Sequence, residues 1–262
     1  MKNNQAEVSL EERKIIQLEM LDEIDQFCRA NNLRYSLAFG TLLGAIRHKG
    51  YIPWDDDVDI MMPLPDLLRF KQNFKSDNLQ YCDVDTCPHF SYPFSRIAHK
   101  ATYNRQGFAV SYGVCIDLYV MIALPQSEVE QNAFFSIAEK LQNKRLRLVK
   151  WRSMINRHTF FPTIPGYDNA VIAYRDYLLF NSPQYGSTDY YYIIAGLLKL
   201  RNRMIYTHDL FDQMIEVEFE GRHFLAIKDY DEFLTLRYGD YMTPPPENQR
   251  VPYHGGHYYW KQ

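Results

Sequence analysis

Long hydrophobic runs are missing from this chain of 262 residues. With no stretch of about 18 apolar residues, nothing in it reads as a membrane-spanning helix. The polar opening Met1-Lys2-Asn3-Asn4-Gln5-Ala6-Glu7 has no apolar run behind it, so no signal peptide is expected. Cysteine is scarce, and Cys28, Cys82, Cys87 and Cys115 form no Cys-x-x-Cys pair. Cys82, Cys87 and His89 would supply at most three zinc ligands with no fourth, which favours reduced thiols in a cytoplasmic protein. A basic stripe is also absent from the overall pattern. The 29 basic and 32 acidic residues are mixed along the chain and leave a net charge of −3. Phosphate neutralisation supplies most of the affinity of nucleic-acid binders, so a nucleic-acid polymer is excluded as partner while a small nucleotide is not. Internal repeats and low-complexity linkers are lacking too, which points to one compact unit.

Aromatic residues are plentiful: 21 Tyr and 16 Phe. Most belong to the core or its margin, and some have the flat ring and hydroxyl that suit a polar-ligand cleft. Periodicity predicts a helix over about 10–30, capped by Ser9, with Ile15, Leu18, Leu21, Ile24 and Phe27 as its apolar stripe. A short strand over 33–39 and a short helix over 42–48 follow. Strand alternation appears at Val58, Ile60 and Met62. Further expectations are a helix over 66–74, strands over 79–84, 94–99 and 113–122, and a Lys-, Arg- and Leu-rich helix over 127–151. Residues 157–190 read as irregular, with a helix after them that ends in the basic run 199–203. A hairpin over 214–226 turning at Gly221 and a helix over 229–237 complete the reading. The expected class is α+β, a mixed sheet flanked by helices. The expected division is a catalytic core over 1–125, a helical and aromatic-rich acceptor-side insertion over 126–210, and a C-terminal closure over 211–262.

The dominant feature is Trp54-Asp55-Asp56-Asp57-Val58-Asp59-Ile60, four carboxylates within five residues. Alternate side chains of a strand share a face, so Asp57 and Asp59 project together while Val58 and Ile60 face the core. Two carboxylates on one face repel unless a cation lies between them, and Mg²⁺ commonly takes one or two carboxylates plus substrate phosphates. Asp117, alone in an apolar strand, is the candidate third carboxylate; its alternative is a structural Asp hydrogen-bonded to backbone. Asp55 and Asp56 fit solvated loop charges. Gly40-Thr41, between a strand and a helix, forms a turn whose N–H groups and hydroxyl suit a phosphate. An EF-hand is excluded, since its sixth and twelfth positions counted from Asp55 hold Ile60 and Asp66. The acidic motif of prenyl-diphosphate enzymes lies on helices, and here Pro53 precedes the cluster and strand alternation follows it.

The stretch from Ser36-Leu37-Ala38-Phe39-Gly40-Thr41 through Gly50-Tyr51-Ile52-Pro53-Trp54 to Asp59-Ile60 resembles the hallmark of the LicD family, which includes the fukutin-type proteins. Phe219-Glu220-Gly221, Tyr230 to Leu234, Tyr238 to Met242, Pro245-Pro246, Arg250 and His254 resemble its C-terminal hallmark. The likeness covers about residues 10–122 and 210–255. It implies a nucleotidyltransferase-like fold, with Gly40-Thr41 as the turn, Asp57 and Asp59 as the metal-binding pair and Asp117 as the third carboxylate. The 15 residues between Thr41 and Asp57 are long for that superfamily and usual for this family. The implied activity is transfer of a phospho-alcohol, typically phosphocholine from CDP-choline, to a hydroxyl of a cell-surface glycan precursor such as teichoic acid or lipopolysaccharide; fukutin-type relatives imply ribitol phosphate. On this reading Asp57 and Asp59 hold Mg²⁺ (or Mn²⁺), and Asp117 completes the site or accepts a proton. Arg47, His48 and, less so, Lys49 contact donor phosphate, and Trp54 stacks on the base, caps choline or simply packs under the loop. Tyr238, Asp240, Arg250 and His254 close the site. A lipid-linked acceptor would bring the protein to the inner membrane face, although no amphipathic anchor is evident in the sequence. The rival readings are an Asp-x-Asp glycosyltransferase using a nucleotide-sugar and a catalytically inactive scaffold.

Overall fold

A short strand, β1 (Glu7–Val8), leads into α1 (Leu10–Ala30). The Ser9 hydroxyl accepts the Glu12 N–H at 3.1 Å while the Glu12 carboxylate accepts the Ser9 N–H at 2.8 Å. This capping box starts the helix where the sequence predicts. Of the expected stripe, Leu21 and Ile24 are buried, but Ile15 is 58% exposed and Ile16 is buried in its place, with Met20 and Cys28 on the same face. The polar residues Arg13 and Gln17 lie on the same buried face, for a reason that the site supplies below. The computed structural model describes residues 6–87, 90–104, 112–155 (backbone alone from 152), 166–195, 198–250 and 256–261.

The elements then run β2 (Ser36–Leu37), α2 (Phe39–His48), β3 (Asp59–Pro63), α3 (Leu64–Asn73), β4 (Leu79–Cys82), β5 (Ser95–His99), β6 (Thr102–Asn104) and β7 (Cys115–Ala123). After them come α4 (Glu128–Ile155), α5 (Tyr167–Phe180), β8 (Tyr191–Ile194), a 3-10 turn (Leu198–Arg203), β9 (Ile205–Tyr206), β10 (Met214–Phe219), β11 (Arg222–Ile227), α6 (Tyr230–Tyr238) and β12 (Tyr258–Trp260). Two expectations need correction. Residues 167–180 form a helix inside the stretch read as irregular, and 191–194 form a strand where a helix was expected. Tyr191 to Ile194 are all buried, so this strand lacks the alternation that marks half-buried strands.

The architecture is α+β. The main sheet has the order β2-β3-β7-β5-β4, with β8 added beside the second half of β7 and β9 beside β8. Among the described strands of this sheet only the β3/β7 pair is parallel; the other pairings are antiparallel. Along β7 the period-two pattern is plain. Ile116, Leu118, Val120 and Ile122 are fully buried, while Cys115, Asp117 and Tyr119 are half-buried on the other face. The helix α3 is fixed on α1 by aromatic packing: Phe70 stacks on Phe74 at 4.5 Å and Phe27 meets both edge-on at 5.4 and 5.1 Å. Each such pair is worth about 0.5–1.5 kcal/mol beyond its buried area. A separate small sheet, β1-β12-β6, ties the two ends of the chain together.

The hairpin β10–β11 docks onto the loop after α2. The Glu220 N–H donates to the Lys49 carbonyl at 2.9 Å, and the Glu220 carboxylate accepts the Tyr51 N–H at 2.9 Å. The two sequence hallmarks are thus one physical unit. Gly44 permits this loop, because a Cβ there would lie 2.4 Å from the Gly50 carbonyl oxygen, a backbone atom with little room to move. Gly44→Ala is expected to destabilise the fold by roughly 1–3 kcal/mol through overpacking. Urea unfolding checks this, and a loss within error would show that the loop gives way freely.

Candidate active site

The acidic residues sit between α2 and the start of β3, and the surrounding backbone fixes them. The Asp59 N–H donates to the buried Thr41 hydroxyl at 2.8 Å, and the Ala38 N–H donates to the Asp59 carbonyl at 2.9 Å. Thr41 therefore clamps the acidic strand onto α2. Gly40 serves the same packing: a Cβ there would lie 2.5 Å from the Asp55 carboxylate. The first turn of α2, expected to cradle a phosphate, is flanked by a carboxylate, which the helix dipole also favours.

Asp59 and Asp117 are direct register partners on the parallel strands β3 and β7. Asp59 is buried, and its Oδ1 has no hydrogen-bond partner among the described residues. Burial, and then the charges of Asp57, Asp117 and Asp55, hold its carboxyl well above the usual carboxylate range, against one hydrogen bond from the Tyr119 hydroxyl. Asp117 is engaged on both oxygens by Arg96, at 2.6 and 3.1 Å. The Arg96 guanidinium lies 4.2 Å from the centroid of the Tyr92 ring. Asp56 is buried and bound at 2.7 Å by the buried Arg13, which explains the polar residues on the inner face of α1. Gln17 donates to the Asp56 carbonyl at 3.4 Å from the same helix.

Oxygens of Asp55, Asp56 and Asp57 lie within 4.8 Å of one another, a set able to hold a metal ion. The structure thus gathers five aspartates, Asp55, Asp56, Asp57, Asp59 and Asp117, and sets Arg13 against Asp56 and Arg96 against Asp117. The unpartnered Asp59 oxygen in this excess of negative charge suits a hard divalent cation.

Beside the acidic centre lies a cationic rim. Arg47 donates from Nε to His48 Nε2 at 2.9 Å and from a terminal nitrogen to the Tyr241 carbonyl. Burial, followed by the Arg47 charge, keeps His48 below its usual range, consistent with an imidazole that accepts. Arg250 donates to the Pro245 carbonyl at 2.8 Å, and its guanidinium lies 5.3 Å from the centroid of Trp54. Burial and then Arg250 depress the pKa of Arg47. Neither arginine has a carboxylate partner among the described residues, so an anion would offset the like charges of this pair. Tyr238 keeps 41% of its surface exposed, but desolvation of its hydroxyl, then Asp59 and more weakly Asp55 and Asp57, push that group up, in the field of the acidic centre.

Of the residues proposed from sequence, Gly40, Thr41, Arg47, His48, Trp54, Asp57, Asp59, Asp117, Tyr238 and Arg250 gather around this centre. Asp240 is exposed beyond α6 and takes no part in these contacts, and His254 lies outside the described residues. His89, considered with Cys82 and Cys87, also lies outside them; the two thiols are free and hydrogen-bonded to each other. Sequence reasoning missed Arg13, Arg96, Tyr92 and Tyr119. The only signal for Arg13 was its place in line with Ile16 and Gln17 on the helix, and for Arg96 its place inside an otherwise uncharged strand.

A family model described as LicD/FKTN/FKRP, nucleotidyltransferase domain, matches residues 32–163. The lipopolysaccharide cholinephosphotransferase LicD of Haemophilus influenzae is 26% identical over 262 aligned positions, covering 94% of this chain and 96% of that one. An uncharacterized protein of Rickettsia typhi is 39% identical over 64 residues, covering 24% of this chain and 21% of its own. An uncharacterized protein of Rickettsia prowazekii is 25% identical over 103 residues, covering 39% and 32%.

Proposed function

Since this chain belongs to the LicD/FKTN/FKRP family, we propose that it transfers a phospho-alcohol, phosphocholine from CDP-choline, to a hydroxyl of a cell-surface glycan precursor. The observation that carries the reading is the pairing of an acidic centre with a two-arginine rim: among the described residues Asp59 Oδ1 has no hydrogen-bond partner and neither arginine has a carboxylate. A diphosphate donor answers both needs: its oxygens complete a cation held by the aspartates, and its charge satisfies Arg47 and Arg250. A nucleotide-diphosphate-alcohol is the donor class that the family implies.

Asp57 and Asp59 would hold Mg²⁺ (or Mn²⁺), with oxygens of Asp55 and Asp56 within 4.8 Å of an Asp57 oxygen. That ion would supply charge neutralisation of the diphosphate and of the leaving CMP. In the transfer, the acceptor oxygen forms a bond to the phosphorus that carries choline. The bond from that phosphorus to the bridging oxygen breaks, and the bridging oxygen leaves on CMP. Asp117 takes the proton of the attacking hydroxyl, and Arg96 fixes its orientation. A loose transition state asks little of the base, so an arginine-paired aspartate suffices. Trp54 holds Arg250 over one face of its ring. Arg47 and Arg250 bind the donor in ground and transition states alike.

Loss of either rim arginine should therefore raise the KM for the donor about tenfold, as expected for a charge-assisted contact, with a smaller change in kcat. Trp54→Ala should behave like Arg250→Ala. Steady-state kinetics check this, and wild-type KM values in both arginine variants would remove the rim from the donor site. The reading as a whole is tested by following label from choline-labelled CDP-choline into a lipopolysaccharide or lipid-linked glycan acceptor, with CMP release measured alongside. Transfer from a nucleotide-sugar instead would identify a glycosyltransferase. No transfer from any donor, with metal bound, would identify a scaffold.

A further inference from the structure

Charges are mixed along most of the chain, but not along α4. From Lys140 the sequence carries Lys140, Lys144, Arg145, Arg147 and Lys150, and no acidic residue occurs until Asp168. The helix packs through Phe134, Phe135, Ala138, Gln142 and Arg145, all buried. At 3.6 residues per turn, Val129, Ile137, Lys140, Lys144, Arg147 and Trp151 fall within an arc of about 80° on the opposite side. Three of these are large apolar residues exposed to solvent: Val129 at 79%, Ile137 at 45% and Trp151 at 56%. The acidic residues of the helix, Glu128, Glu130 and Glu139, lie off this arc, and Glu139 is paired with Arg201 at 3.0 Å. Lys140, Lys144 and Arg147 form no ion pair among the described residues.

We propose that this face of α4 docks on an anionic lipid bilayer. An ordinary solvated helix face carries both signs of charge and keeps its tryptophans inside. This one carries a single sign, spaced between apolar side chains, with an aromatic ring where the cations are densest, a pattern suited to a shallow electrostatic contact with anionic headgroups. The membrane is the occupant that matches both features at once, since anionic headgroups take the cations and the headgroup boundary takes Trp151, Ile137 and Val129. The buried side of the same helix is linked to the acidic centre through the segment 91–96. Arg145 donates to the Ser91 carbonyl, and the neighbouring Tyr92 carries Arg96, which holds Asp117. Docking through α4 therefore sets the acidic centre at a fixed offset from the bilayer, where a lipid-linked hydroxyl would be presented. The inference goes beyond the transfer reaction, and its test reads no turnover, so the two can fail separately.

The test is co-sedimentation of the full chain with vesicles of phosphatidylcholine alone and of phosphatidylcholine with phosphatidylglycerol. Binding is expected only to the anionic vesicles and should weaken between about 0.1 and 0.5 M salt. At about fivefold per cation, Lys140→Gln/Lys144→Gln/Arg147→Gln should cut the partition coefficient by roughly a hundredfold. The melting temperature should not change, because these side chains are exposed. Trp151→Ser should weaken binding at low salt without altering its salt dependence. Equal binding to neutral vesicles, no binding, or binding that the triple variant retains would overturn the proposal. So would a concentration-dependent dimer, or retention on an RNA column, abolished by the triple variant in the absence of vesicles.

Discussion

Asp59→Asn is expected to melt higher than the wild type in the absence of metal and donor, at neutral pH and above, while losing transfer by on the order of 10³-fold. Both effects have one cause. The Asp59 carboxylate is buried beside Asp57, Asp117 and Asp55, and burial followed by these charges raises its pKa well above the usual range. The free carboxyl titrates near about 3.9. Between that pH and the folded pKa the native state holds a proton that the unfolded state has lost. Stability contributed by this group therefore falls as pH rises, and levels off once Asp59 ionises in the native state. Asparagine has the same shape and no charge to bury. The gap in melting temperature should be near zero around pH 4 and should widen toward pH 8, because each tenfold difference in proton affinity between the folded and unfolded carboxyl is worth about 1.4 kcal/mol. Calorimetry across that range reads it directly. A wild type that is the more stable partner at pH 8 without metal would mean that Asp59 is already satisfied in the free protein. Saturating Mg²⁺ and donor should reverse the order, since ligand at about 100 times its Kd adds about 2.7 kcal/mol to the state that binds it.

Removing Arg13 should be the most damaging single change outside the acidic residues. Arg13 and Asp56 are both buried, their ion pair spans 2.7 Å, and the arginine also lies 5.3 Å from the centroid of Tyr258 in the small terminal sheet. One residue thus joins α1, the acidic loop and β12. Breaking a buried pair by removing one partner costs about 3–5 kcal/mol, because the remaining charge stays buried. Arg13→Met takes away the buried guanidinium that faces Asp56 in a loop already crowded with the carboxylates of Asp55 and Asp57. For a chain of this length the cost is on the order of 10 °C in melting temperature. Arg13→Met/Asp56→Leu should recover most of that loss, because a well-packed apolar pair often matches a buried ion pair. The double variant should still be impaired in transfer, since the loop that presents Asp55 and Asp57 loses its anchor. A single variant that melts within a degree or two of the wild type would show that α1 does not hold the loop.

The parts of the molecule legible in the sequence are those where a local pattern carries the information. Ser9 and Glu12 mark the start of α1, alternation marks β3 and β7, and Glu220-Gly221 marks the hairpin turn, where both residues have positive φ, 52° and 71°. The acidic loop was conspicuous because four carboxylates in five residues need a physical reason. What the sequence hid are relations between distant segments. No local signal brings Arg13 to Asp56 across 43 positions or Arg96 to Asp117 across 21. Register does so: Arg96 stands directly opposite Asp117 in the β5/β7 pairing. For the same reason Asp117 stood out as a lone carboxylate in an apolar strand while its arginine partner went unseen. The first position of the α1 stripe was misplaced because Ile15 and Ile16 are adjacent, and tertiary packing chose the second. Strand β8 was hidden because four consecutive buried residues have no period. The helix α5 begins at a left-handed Gly166 with no side-chain cap, so its start carries no polar signature.

The measurement that bears most directly on the site is the thermal shift of wild type and Asp57→Asn/Asp59→Asn with a nucleotide panel, each tested with Mg²⁺, Mn²⁺ and a chelator. Native-state ligands raise the melting temperature in proportion to their binding free energy. The expected result is stabilisation of the wild type by CDP-choline, or by CDP-ribitol, only when metal is present, and no response from the double variant. Stabilisation by UDP- or GDP-sugars with no response to CDP-alcohols, or equal stabilisation of wild type and double variant, would contradict the account.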